Sequence, residues 1–166
     1  VRERYDVAPR QHAELTLPWA EELLAEAGIA KSQLDAIAVG RGPGAFTGVR
    51  LGISLAQGIA LALDRPVVPV STLAALAMRS GVLVASAADG RQPAPLAVLA
   101  AIDARMSELY IGHFELRDGD AIALSVEALA VPDTVALLAD REGWYGVGTG
   151  FAALGGALGT RLGAQL

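Results

Sequence analysis

The sequence predicts an α/β protein in two parts, and three observations carry that prediction. Segments of helical and strand character alternate from residue 11 to residue 79 in the order helix, strand, helix, strand, helix, as in a layered α/β domain. Three strand-like runs then follow one another between Leu96 and Val126, separated by turns, as in a meander. Between them, Ser80 to Pro95 shifts to Ala, Ser, Gly, Asp and Pro, which puts a boundary there and divides the chain into 1–92 and 93–166.

Each element has its own signal. Gln11 to Ala27 places Leu15, Trp19, Leu23 and Ala27 near helical spacing, with Glu14, Glu21, Glu22 and Glu26 largely on other faces. Pro18 predicts a kink or a late start, and Gly28 a C-terminal cap. Asp35 to Gly40 is a continuous apolar run, the pattern of a buried central strand. A glycine-proline loop leads into a helix capped by Thr47 and ending near Asp64-Arg65-Pro66. Val67 to Val70 is a short strand placed toward an edge by Pro69, and Ser71 caps a helix from Thr72 to about Arg79. In the second part, strands are predicted over Leu96–Ile102, Glu108–Leu116 and Ala121–Val126, with turns at Asp103–Ser107 and Arg117–Asp120. Pro132 opens a predicted helix to about Arg141, Trp144 to Val147 is a last strand, and an interrupted helix follows Gly148-Thr149-Gly150.

Bulk composition narrows the function. At 53% hydrophobic and 19% charged, the chain has enough apolar surface for a large core with some left over. A net charge of −5 lacks the basic footprint that drives nucleic-acid binding, so any service to RNA is expected to run through a partner. The absence of cysteine excludes thiol chemistry and fits a cytoplasmic protein. The longest apolar stretch, Gly52 to Leu63, is read as falling short of the ~18 residues a membrane span needs. Val1 to Arg10 is neither a signal peptide nor a clean start, so further residues are expected before it.

The stretch Val39 to Leu63 carries the most information. Its loop GRGPGAFTG, with Gly42, Gly44 and Thr47, opens a helix in the geometry that presents backbone N–H groups to an anion. It is not a Walker A loop, because no Lys-Ser/Thr follows, nor a dinucleotide fingerprint; a plain strand-to-helix turn and a phosphate contact both remain open. In the helix, Gly48, Gly52, Ala56 and Ala60 recur every four residues, and Phe46, Val49, Arg50 and Ile53 surround them. Such a helix, apolar nearly all round, is either internal or shared between a core and a partner; the small size of the chain favours a partner interface over these eight residues.

Other chemistry finds little support. His12 and His113 form no metal-binding pattern, and Ser54, Ser71 and Ser107 lack a nucleophile-elbow context. Asp103, Arg105 and Glu108 form one charged cluster beside a strand, read as an Asx turn with Arg105 pairing to Glu108.

The blocks Arg10–Pro18 (RQHAELTLP), Gly42–Leu63 (GPGAFTGVRLGISLAQGIALAL), Pro66–Leu76 (PVVPVSTLAAL) and Ile102–Tyr110 (IDARMSELY) resemble the TsaB (YeaZ) family. The resemblance covers the chain well to about Tyr110. It implies the actin-like ATPase fold shared with Hsp70 and hexokinase, of ribonuclease H-like type, in two subdomains. It implies a cytoplasmic, non-catalytic subunit that binds and activates TsaD in threonylcarbamoylation of the adenosine beside the anticodon of tRNAs reading ANN codons. TsaE, an ATPase, and a second copy of the chain are the other implied partners, with tRNA met only through the complex and no membrane. No cofactor is expected on this chain by itself; ATP or ADP belongs at the interface of the complex, near Gly42, Gly44, Thr47 and Asp103. The metal motif of the catalytic paralogue has no counterpart here, so no metal site is expected. Family members begin with a strand and hairpin bearing an Asp-Thr-type phosphate loop, and extend further at the C-terminus; the chain is expected to be incomplete at both ends. The alternative is an ATPase or phosphotransferase acting alone, with Asp103 near the phosphates.

Overall fold

The computed structural model describes residues 1–7, 11–87 and 95–166; Arg10 and part of the expected boundary, 88–94, lie outside the described residues. They form a mixed α/β protein that divides into two compact units, Val1–Arg41 with Ala45–Val70, and Gly42–Gly44 with Ser71–Leu166.

In the first unit, helix α1 spans His12–Ala27 and carries Pro18 inside it, so the expected late start does not occur. Proline costs that helix one hydrogen bond without ending it. Gly28, at φ 66°, terminates the helix: its N–H reaches the Ala25 carbonyl at 3.1 Å and the Ile29 N–H reaches Leu24 at 3.0 Å. These are the paired bonds of a left-handed cap, which glycine adopts without a Cβ penalty. Strand β1 (Ile37–Gly42) pairs with β2 (Val67–Ser71) in a two-stranded sheet, and helix α2 (Phe46–Leu63) connects them.

Three expectations are corrected here. Strand β1 is not a buried central strand: only Gly42 is buried, because a continuous apolar run is covered only where neighbours flank it on both sides and both faces, and among the described residues β1 pairs with β2 alone. Ala45, not Thr47, is the N-cap of α2, and it makes no side-chain cap bond. The membrane reading also changes, since α2 begins six residues before Gly52 and its 18 residues, with mean hydropathy 1.4, are long and apolar enough by length and composition to cross a membrane. The connectivity opposes a crossing. The two ends of α2 lead into β1 and β2, which are hydrogen-bonded to each other.

In the second unit, helix α3 (Thr72–Ala87) precedes strands β3 (Leu96–Arg105), β4 (Glu108–Arg117), β5 (Asp120–Ala123), β6 (Ala128–Ala130) and β7 (Tyr145–Val147), and a short helix α4 (Ala157–Leu162) closes the chain. The Ser71 hydroxyl caps α3, accepting the N–H groups of Leu73 at 3.1 Å and Ala74 at 3.2 Å. Because α3 packs on β3, β4 and β5, it groups with this unit, ahead of the expected division at 92/93. The sheet order is β5-β4-β3-β7, with β6 beside β4. Strands β3, β4 and β5 are the expected antiparallel meander, joined at the second turn by Asp118 (φ 54°) and Gly119 (φ 79°). Strand β7 departs from it by pairing parallel to β3, Leu99 opposite Gly146.

Strand periodicity sorts the side chains into two cores. Ala97, Leu99 and Ala101 of β3 and Leu109 and Ile111 of β4 pack with Val135, Trp144, Leu158 and Leu162. Leu96, Val98 and Ala100 with Phe114 pack against Leu73 and Ala77 of α3. The helix expected from Pro132 to about Arg141 is a single 3-10 turn, Pro132–Thr134. Its carbonyls are claimed from elsewhere: Arg161 donates to Pro132 and Val135, and His113 Nε2 donates to Ala136 at 2.9 Å. Side-chain donors from β4 and α4 thus replace the helical ladder that local propensity favours.

Candidate functional site

Helix α2 is the first candidate, because so little of it is covered. Only Ala56 and Ala60 are buried among its 18 residues. Gly48, Val49, Gly52 and Ile53 are half-buried, and a Cβ on Gly52 would touch Val39 of β1 at 3.9 Å. The small-residue stripe is therefore turned inward at Ala56 and Ala60, and at Gly52 it meets the Val39 side chain at ordinary van der Waals distance. The open face runs through Phe46, Arg50, Ser54, Gln57 and Leu61, spaced three and four apart on one side of the helix. Phe46 is 68% exposed and Leu61 85%. The Arg50 guanidinium lies 3.7 Å from the centre of the Phe46 ring, a cation–π pair at the head of that face. Sequence spacing picks out Phe46 and Arg50 but not their mutual contact, which depends on rotamers.

The second candidate is the turn at the end of β3. Asp103 Oδ1 accepts the Arg105 N–H at 2.8 Å, the expected Asx turn. Arg105 Nη1 lies 3.9 Å from Asp103 Oδ2, so the ion pair expected with Glu108 goes to Asp103 instead. Glu108 stands opposite Arg105 in the backbone register, but the Asx turn brings the Asp103 carboxylate within the arginine's reach first. Arg105, Met106 and Ser107 all have left-handed φ, at 70°, 51° and 65°. The Asp103 N–H reaches the Thr149 hydroxyl at 3.4 Å, bringing the Gly148–Gly150 loop beside this turn. Gly148 has φ 107°, and a Cβ there would sit 2.2 Å from the Ala101 carbonyl oxygen. Of the loop residues named from the sequence, Gly42 has φ 90° and is buried, Gly44 and Thr47 are exposed, and Asp103 belongs to the β3 turn.

A third arrangement escapes sequence reasoning. His113 and Glu115 stand on the buried face of β4, where alternation calls for apolar residues. Glu115 accepts from Arg141 and lies 3.3 Å from Arg117. His113 Nδ1 lies 3.0 Å from the Ser125 hydroxyl, its Nε2 bonds the Ala136 carbonyl, and Trp144 meets the ring edge-on at 5.4 Å. Burial pushes the His113 pKa below its ordinary value, against a smaller upward pull from the Ala136 carbonyl. No sequence motif joins residues 113, 125, 136 and 144; only the β4–β5 turn and the return of the chain past Ala136 bring them together. Beside them lies an open cleft of about 400 Å³ lined by Leu137, Leu138, Arg141, Trp144 and Gln165. Among the described residues, no three His, Cys, Asp or Glu side chains are grouped to hold a metal ion.

Comparison with known proteins agrees with the blocks quoted from the sequence. Residues 6–142 match the family model for TsaD, tRNA N6-adenosine threonylcarbamoyltransferase. The tRNA threonylcarbamoyladenosine biosynthesis protein TsaB of Escherichia coli K12 is 38% identical over 157 residues, 92% of this chain and 64% of that protein. The TsaB protein of Haemophilus influenzae is 36% identical over 161 residues, 89% of this chain and 62% of its own length. The chain thus spans less than two thirds of the curated relatives it matches. A solved Pseudomonas aeruginosa protein described as similar to peptidase YEAZ superposes with a TM-score of 0.77 at 46% identity, covering 92% of this chain and 68% of that one. The shared blocks, the matching family model and the solved YeaZ relative together establish that the chain belongs to the TsaB (YeaZ) family.

Proposed function

We propose that this chain is a non-catalytic scaffold subunit in tRNA threonylcarbamoyladenosine formation, binding and activating a TsaD-type transferase through the open face of α2. The observation that carries the proposal is an 18-residue apolar helix with two buried residues. Exposed apolar surface of this kind on a folded domain is stabilised by a partner. Covering a few hundred Å² at about 25 cal/mol per Å² contributes several kcal/mol before the costs of association. The net charge of −5 fits a subunit that meets tRNA only through the complex, in the cytoplasm. The actin-like fold, a role for TsaE, self-association through the same face, and ATP or ADP at the interface near Gly42, Gly44, Thr47 and Asp103 belong to the same reading.

Co-purification with a TsaD-type transferase tests it. Arg50→Glu and Leu61→Asp, both at exposed positions, are expected to abolish co-purification while circular dichroism stays unchanged. Normal recovery of the transferase with both variants rejects the assignment of the interface. Light scattering of the chain alone and mixed with the transferase distinguishes a homodimer that yields to a heterocomplex from a monomer that binds directly.

The reading as a lone ATPase rests on Asp103. Its carboxylate is engaged by the Arg105 N–H and guanidinium within its own turn. Nucleotide hydrolysis by the protein alone, lost on Asp103→Ala, would favour this reading over the scaffold.

A further inference from the structure

We propose that Ser125 is an activated nucleophile that accepts an acyl group from an activated ester, with His113 as its general base. The hydrogen-bond pattern assigns the protons. The Ala136 carbonyl only accepts, so His113 Nε2, 2.9 Å away, carries the ring hydrogen. Nδ1 then presents its lone pair to the Ser125 hydroxyl at 3.0 Å, the shorter of two contacts open to that one proton; the other is the Val126 carbonyl at 3.4 Å. Hydroxyl, imidazole and an orienting acceptor stand in line, the arrangement that activates a serine.

The surroundings keep the base in working order. His113 is 6% exposed, and Trp144 packs edge-on against the ring, holding its plane. Burial in this apolar setting favours the neutral imidazole, the form that takes a proton. The charged groups of this cluster are Glu115, on the same face of β4, with Arg141 and Arg117, both paired to it. Ser125 is half-buried beside Val126, which is 89% exposed, so the hydroxyl borders solvent while the imidazole lies behind it.

In the step inferred, Ser125 Oγ attacks the ester carbonyl carbon as its proton passes to His113 Nδ1. Collapse of the tetrahedral adduct breaks the bond to the leaving oxygen, which takes that proton from Nδ1. The products are O-acyl-Ser125 and a free alcohol, with imidazole restored. The position of Ser125 at the edge of solvent suits a small acyl group such as acetyl.

The test is acetylation of the whole chain by p-nitrophenyl acetate, read by peptide mapping, which also separates reaction at Lys31. Ser32 and Ser107, both exposed, serve as internal references. The expected result is acetyl-Ser125 forming about 100-fold faster than acetyl-Ser32 or acetyl-Ser107, the lower end of what a positioned base contributes. Ser125→Ala abolishes the fast adduct, and His113→Gln reduces Ser125 to the reference rate. Because His113→Gln also disturbs the core, the pH profile of the unaltered protein gives an independent reading. A rate that levels off above a midpoint below 6.5, the ordinary histidine value, reports the buried imidazole. Equal acetylation of the three serines, or a Ser125 rate that climbs with hydroxide through pH 8 without a plateau, overturns the proposal.

Discussion

His113 on β4 bonds the backbone carbonyl of Ala136 through Nε2 at 2.9 Å, in the segment where local sequence favours a helix and none forms. The bond joins a strand to a return loop; Nε2–H can donate from the neutral or the protonated ring, and burial is what favours the neutral form. Burial lowers the His113 pKa in the folded state from its ordinary 6.5. Below pH 6.5 the unfolded chain therefore binds more protons than the folded one, and stability falls. The His113 contribution should be full above pH 6.5 and disappear as pH drops through the folded-state value. Thermal melts from pH 8 to pH 5 check this, and His113→Gln should flatten the part of the curve that histidine supplies.

The carboxylate of Glu115 is 7% exposed and answers both Arg141 and Arg117. Glu115→Ala leaves the Arg141 guanidinium without its buried counter-charge and should cost about 3 kcal/mol. Arg117 is 52% exposed, so Arg117→Ala should cost less than about 1 kcal/mol. Urea unfolding of the two variants measures the contrast; equal losses would show that burial does not set the strength of these pairs.

Three glycines rank by geometry. A Cβ on Gly148 meets the Ala101 carbonyl oxygen at 2.2 Å in a left-handed backbone, so Gly148→Ala should cost more than about 2 kcal/mol. Gly119 is left-handed with nothing within 4 Å, and Gly119→Ala should cost about 1 kcal/mol. Gly40 has open space and no left-handed φ, so Gly40→Ala should change stability by less than about 0.5 kcal/mol. Chemical denaturation of the three variants tests the order.

Ser71 accepts two helix N–H groups and donates to Glu127. Ser71→Ala should cost about 1 kcal/mol or more, while Ser71→Asp keeps the cap but sets a carboxylate against Glu127. Ser71→Thr should restore most of the loss in the same unfolding assay.

Much of the fold is legible in local chemistry. Gly28, Asp64, Ser71 and the Asp118-Gly119 turn announce themselves, because caps and tight turns depend on a few adjacent residues. Helix α2 is visible for the same reason, down to the stripe Gly48, Gly52, Ala56 and Ala60. What that stripe faces is not visible. Periodicity shows that small residues share a side, but the contact of Gly52 with Val39 depends on where β1 lies. The helix expected at 132–141 fails because Arg161 and His113 take its carbonyls, and neither donor is near in sequence.

The sequence by itself determined the α/β class, most element positions and the family blocks, since each follows from backbone preference or from a contiguous run of residues. Tertiary structure alone decided which side of α2 remains open and brought Ser125 to His113. Those relations arise from strand register and from competition for carbonyl groups between residues far apart in the chain, and no local pattern encodes the outcome of that competition.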